Sequence, residues 1–287
     1  VRVRDHTISL QRRLTNTLAT GAMWIAALLV LTPLFAILGY LIFKGFSSVN
    51  VAFFTQIPKP VGESGGGMAN AIGGSLLILG IASAIGIPLG IGSGIYLSEV
   101  SRGGVGKYVR FTSDVLNGVP SIVIGLAAYS LVVISQKHFS ALSGGIALGI
   151  MMVPTVTRST EQMLNMVPHA IREAALGLGI PQWRTTLSIS LRTALPGIIT
   201  GVMLAFARVA GETAPLLFTT FGNSFWNWDP SQPTAALPLQ IFIYAISPYE
   251  DWHKKAWAGA LVLVCLIMFA VSAVRFATSR GTFKGSY

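Results

Sequence analysis

Six stretches of this chain are continuously apolar over the length a helix needs to cross a lipid bilayer: about 21–43, 70–96, 110–134, 141–163, 195–218 and 256–278. A helix needs roughly 20 such residues to span the hydrocarbon core. Barrel strands would alternate apolar and polar positions, and these runs do not. The pattern predicts an all-α membrane protein with six transmembrane helices. It divides the chain into a cytoplasmic N-terminal segment (1–20), a transmembrane domain (21–280) and a cytoplasmic tail (281–287). A loop at about 164–194 separates spans four and five.

Composition agrees with this reading. Of 287 residues 52% are hydrophobic and 10% charged, and the mean hydropathy is +0.66. Soluble domains carry about 25% charged residues. The net charge of +10 raises the possibility of a nucleic-acid partner, but the positions of the cations answer it. With the N-terminus inside, fourteen of the twenty lysines and arginines fall on cytoplasmic segments and five on external ones, while Arg208 lies within a span. The basic excess is mostly an orientation signal that puts both termini in the cytoplasm, with membrane lipid and no nucleic acid as its partner. The first span, 22–43, is too long for a signal-peptide core and is expected to be retained. Cys265 is alone, so no disulfide within the chain is expected.

Proline and polar residues interrupt the spans at Pro120 with Asn117 and Ser121, at Pro154 with Thr155 and Thr157, and at Pro215 with Glu212 and Thr213. Each proline frees a carbonyl that needs a partner or a wet cavity, as in broken helices beside a transport pathway. The second span carries Gly73, Gly74, Gly86, Gly90, Gly92 and Gly94, a pattern for close helix packing. Arg208-Val209-Ala210-Gly211-Glu212-Thr213-Ala214-Pro215 is the most unusual stretch. A charge at the bilayer centre costs roughly 2.5–3.5 kcal/mol on insertion scales. If helical, Arg208 and Glu212 project from one face. Arg208, Glu212 and Thr213 are therefore the candidate substrate-translocation residues. The guanidinium would grip two oxygens of an oxyanion, and Glu212 would orient it or accept a proton from the substrate. An interhelical structural pair is the alternative.

Elsewhere Pro168 opens a helical stretch, Gly177 and Gly179 break it, and Pro181 starts a second short helix through Trp183 and Leu187. Asp114 reads as a carboxylate near the cytoplasmic start of span three, Arg158 and Glu161 as a local ion pair. His6, His138, His169 and His253 show no metal-ligand spacing. Trp226, Trp228, Trp252 and Trp257 read as an interfacial belt in or beside a long external loop.

Glu173-Ala174-Ala175 with Gly179 and Ile189-Ser190-Leu191 resembles the EAA loop of ABC importer permeases, although Arg192 and the late Pro196 depart from the usual closing pattern. Ala207–Phe218, Ser247-Pro248-Tyr249 and Ala256-Trp257-Ala258-Gly259 are similar to permeases of phosphate-specific ABC importers. The resemblance runs from about residue 20 onward. It implies a type I (MetI-like) permease fold and makes Arg172, Glu173, Ala174, Ala175 and Gly179 the ATPase-coupling residues. It also implies a second permease subunit, two ATPase subunits that bind ATP and magnesium, and an extracytoplasmic phosphate-binding protein. The chain has no G-x-x-x-x-G-K-[ST] sequence, so no ATPase chemistry of its own and no cofactor or metal is expected. A sulfate or molybdate permease, and an ion-coupled symporter using Glu212, remain as alternatives. An intramembrane enzyme lacks a convergent catalytic set.

Overall fold

A computed structural model describes residues 10–282 apart from Ser64 and Arg102. The orientation charges Arg2, Arg4, Arg102 and Lys284, the side chain of Arg280, and His6 fall outside the described residues. Five helices are long and apolar enough to cross a membrane, and a bent pair brings the total to six if it is one span. The long helices are α1 (Leu10–Phe46), α3 (Ala69–Ile95), α7 (Ala141–Asn165), α10 (Leu191–Ala210) and α13 (Glu250–Thr282). Helix α2 (Val51–Thr55) is a short connector.

The third expected span is the bent pair. Helix α4 (Gly104–Gly118) meets the run of α5 (Ser121–Ala128), a π-helical turn Tyr129–Val133 and α6 (Ile134–Gln136) at 106°. Pro120 caps α5 and holds Val119 extended at φ −69°, ψ 132°, because a residue before proline is driven out of the helical region. Asp114 therefore lies late in α4, not at the start of a span as its position suggested. Val105, Tyr108, Phe111 and Val115 stand exposed on α4, an amphipathic helix with an uncovered apolar stripe.

The second correction concerns residues 181–218. The short helix expected after Pro181 is the beginning of a long one: α9 (Gln182–Thr185) runs through a π-helical turn, Thr186–Ser190, into α10. That rod ends at Ala210, short of the expected boundary at 218. Gly211–Thr213 break the chain, and α11 (Ala214–Thr219) follows with Pro215 in its first turn.

Close packing centres on α3, α7 and α10. Along α3, Gly86, Gly90 and Gly94 recur every four residues and so share a face. They meet Met152, Val156 and Thr160 of α7, themselves four apart. A Cβ on these glycines would stand 2.5–2.8 Å from those side chains. Gly197 and Gly201 of α10 likewise admit Met163 and Ser159 of α7. Lipid is as apolar as leucine, so backbone approach through small residues is what joins such helices. Ile78, Leu148, Met152, Val156, Ile198 and Ala205 form the buried centre. Helix α1 rests on α13, where Tyr40 meets Trp257 edge-on at 5.1 Å, and most of its surface is uncovered.

One end of the bundle carries the segment 220–236 and α12 (Leu237–Ala245). Buried Asn70 of α3 donates to the Asn223 carbonyl at 2.7 Å, and the Leu237 N–H donates to Ser75 Oγ at 2.7 Å. Trp226 and Trp228 stack over Gly73, and Trp252 stacks on Tyr244. These tryptophans pack against the bundle. In the same segment Ser231 donates its hydroxyl and backbone N–H to Asp229, which holds that carboxyl below its ordinary range. The opposite end carries α8 (His169–Gly177).

Candidate functional site

Arg208 sits in the last turn of α10, three residues before the break. The neighbouring Val209 and Ala210 lie beside Ile78, Leu79 and Leu148. Leu148 is the eighth residue of α7, which places this level about 10 Å, at 1.5 Å per residue, inside the α12 end of the bundle. The buried face of α10 is Ala194, Ile198, Gly201, Val202, Ala205 and Val209. Arg208 lies off that face with Leu204, and both are exposed. The guanidinium thus points away from the chain's own core. Among the described residues its side chain makes no hydrogen bond and no ion pair.

The geometry expected for Glu212 is not formed. Gly211 ends α10, so Glu212 stands beyond the helix and the four-residue spacing does not create a shared face. Its N–H closes onto the Val209 carbonyl at 3.2 Å, its half-buried carboxylate has no partner among the described residues, and no ion pair joins it to Arg208. Thr213 caps α11 by position without a side-chain bond. Since the helix has already stopped at Gly211, Pro215 does not free a carbonyl from a continuous ladder. It packs on α5, where its Cα would be 2.8 Å from a Cβ on Gly125.

Chemically, the break leaves a cation and an unpaired carboxylate within three residues of the point where the helix stops. Hydrocarbon would tolerate the guanidinium only at the cost given above, so this face of α10 requires water or protein over it.

The second site is α8. Pro168 opens it with φ −57° and ψ 136°, and the chain turns at Gly179, whose φ of +79° is a conformation glycine adopts without strain. Glu173 and Ala174 face outward with Leu178, which is 81% exposed, while Ala175 is buried. Arg172 is different from its neighbours. It turns inward, donating to Glu99 Oε1 at 2.7 Å, to the Leu164 carbonyl at 2.7 Å and to Ser190 Oγ at 3.3 Å. Of the residues expected to couple to an ATPase, Arg172 thus faces the bundle, whereas Glu173 faces outward. Glu99 was not visible as a functional residue, because nothing in its local sequence points to a partner 73 positions away.

A third cluster ties α4 to α7. Buried Glu161 accepts from Arg110 and, at 2.8 Å, from Arg158; Arg158 also pairs with Asp114 at 2.9 Å, and Arg110 donates to the Leu97 carbonyl. The local pair expected of Arg158 and Glu161 exists within this larger network. Asp114 serves an ion pair, not a helix start. Among the described residues no group of histidine, cysteine, aspartate and glutamate could hold a metal ion; His253 bonds the Ser247 carbonyl.

Comparison with known proteins adds to this geometry. Residues 86–280 match the family described as "Binding-protein-dependent transport system inner membrane component". The phosphate transport system permease protein PstA of Yersinia pestis is 45% identical over 264 residues, covering 91% of this chain and 90% of that protein. The phosphate transport system permease protein PstA 1 of Mycobacterium tuberculosis is 34% identical, over 95% of this chain and 92% of that one. Among solved structures, an inward-facing MetNI methionine ABC transporter aligns with a TM-score of 0.60 at 18% identity, covering 73% of this chain and 96% of its own. That likeness speaks to the fold. The chain belongs to the binding-protein-dependent transport system inner membrane components, among the PstA-type permeases.

Proposed function

We propose that this chain is a membrane-spanning subunit of an ATP-driven importer of inorganic phosphate. It forms the translocation path with a second permease. Two ATPase subunits bind ATP and magnesium, and an extracytoplasmic binding protein delivers phosphate. Both termini and α8 face the cytoplasm, and the α12 end faces outward. The chain itself is a transport subunit and holds no nucleotide.

The observation that carries this reading is the uncovered Arg208 beside the α10–α11 break, in a chain whose relatives are named as phosphate permeases. Because a guanidinium stays protonated and offers a planar fork, it neutralises and orients a tetrahedral oxyanion. Its exposed setting on α10 suits a place at the seam with the partner permease. The unpaired Glu212 carboxylate accepts a proton that phosphate carries and sulfate lacks. Thr213 offers a hydroxyl at the same break. At the other end, Glu173, Ala174 and Gly179 present the surface of α8 to an ATPase groove, with Ala175 as the buried side of the helix.

The test is transport by the complete reconstituted complex. ATP should drive uptake of phosphate in preference to sulfate and molybdate, and a proton gradient without ATP should drive none. ATP-driven uptake of sulfate or molybdate instead of phosphate, or uptake by this chain alone under a proton gradient, would replace this function with one of the alternatives.

A further inference from the structure

The described residues contain three π-helical turns, and two of them meet. Tyr96–Val100 ends α3, and Thr186–Ser190 lies inside the α9–α10 rod. Such turns carry one extra residue, are rare, and recur at functional positions. Here the first supplies Glu99 and the second supplies Thr186 and Ser190. Thr186 Oγ1 donates to Glu99 Oε2 at 3.4 Å, and Gln182 Nε2 donates to the Glu99 carbonyl at 3.3 Å. Arg172 of α8 enters between them, with bonds to Glu99, to Ser190 and to the end of α7 at Leu164. The side chains of Arg172 and Glu99 are only 15% and 8% exposed. One guanidinium thus joins α8 to all three central helices at once.

Stability is a poor reason for such an arrangement. A buried ion pair commonly contributes no more than apolar residues of the same volume, and fixing one register is its best attested use. The rest of α8 is thinly attached: Ile171, Leu176 and Leu178 are exposed, and Ala175 is its one buried side chain. Besides the chain at its two ends, the side chain of Arg172 is therefore the polar link by which a force on the outer face of α8 reaches the bundle. At its far end are two turns whose extra residue lets a helix change register locally.

We propose that Arg172 and Glu99 form a pin that transmits displacement of α8 to the π-helical turns of α3 and α10. They are positioning residues for transport, remote from phosphate. The inference rests on the proposed function and deepens it: Glu173 meets the ATPase, while Arg172 passes the movement inward.

The experiment uses the complete complex in proteoliposomes and reads phosphate moved per ATP hydrolysed. For Arg172→Gln and Glu99→Gln the expected result is an assembled complex whose hydrolysis stays within about twofold of wild type while that ratio falls about tenfold or more. The double variant should fall no further than either single one, since both remove the same connection. Arg172→Lys, which keeps charge without the fork, should recover part of the ratio. An unchanged ratio in assembled Arg172→Gln and Glu99→Gln would overturn the pin. So would loss of assembly in all of these variants, which would make the pair a folding element only. Failure of the wild-type complex to move phosphate would instead refute the function on which the inference rests.

Discussion

Gly90 offers a sharp test of how α3 and α7 are held together. A Cβ at this position would lie 2.6 Å from Val156 Cβ, 2.7 Å from its Cγ1 and 3.1 Å from the Val153 carbonyl. Val156 is fully buried, and its β-branched side chain is stiff at χ1, so it has no room to swing aside. Ordinary carbon contact needs about 3.5–4.0 Å, which leaves a deficit of about 1 Å that only the helices can supply by separating. Overpacking of this kind costs about 1–3 kcal/mol. Two residues on, Gly92 has nothing within 4 Å of the corresponding Cβ. There the same substitution only removes glycine's helical penalty, a gain of about 1 kcal/mol. Gly90→Ala removes the same penalty, so the two variants should differ by the overpacking cost alone, about 1–3 kcal/mol, because Gly90→Ala disrupts the packing that Gly92→Ala leaves untouched. Thermal denaturation of the purified complex in mild detergent reads the difference, with Gly80→Ala, another open position, as a second control. Equal midpoints for the 90 and 92 variants would refute the seam as the basis of α3–α7 association.

Two further outcomes follow from the polar ties. Glu161→Gln weakens the bonds from Arg110 and Arg158, so α4 should loosen by about 1.5–3 kcal/mol, the range for hydrogen bonds to charged groups; faster amide exchange across Gly104–Gly118 checks it, and unchanged exchange contradicts it. Asn70→Ala removes the bond to the Asn223 carbonyl but also removes a buried Oδ1 that has no partner. Its cost should stay near about 1 kcal/mol, and limited proteolysis of segment 220–236 should quicken.

The sequence and the fold agree where one physical rule dominates. Long apolar runs set α1, α3, α7 and α13, and the four-residue glycine spacing in the second span marked the face that α7 occupies. The disagreements fall at helix breakers. Hydropathy carries no directional information, so it ran through Pro120 and missed a 106° bend, and it ran through Gly211 and joined α10 to α11. The pairing of Arg208 with Glu212 assumed an unbroken helix, and that assumption failed with the helix. Conversely, Pro181 looked like the start of a separate short helix because nothing local showed that Thr186–Ser190 would carry it on into α10. Arg172 and Glu173 are adjacent and both charged, yet one turns in and the other out. Which does which depends on Glu99 and Ser190, and such distant partners are not legible in one sequence. The phosphate reading came from stretches such as Ala207–Phe218, and the 45% identity to a named phosphate permease now supports it.

The central claim is that Arg208 meets the transported anion. The most direct measurement is ATP-driven phosphate uptake by the complete complex carrying Arg208→Gln or Arg208→Lys, with assembly and ATP hydrolysis followed in parallel. A charge-assisted hydrogen bond is worth about 1.5–3 kcal/mol, or about 10–100-fold in rate or affinity. Arg208→Gln should lose that much uptake in an intact complex, and Arg208→Lys should fall between it and wild type. Wild-type uptake by both variants would contradict the account and leave Arg208 as a structural contact with the neighbouring permease.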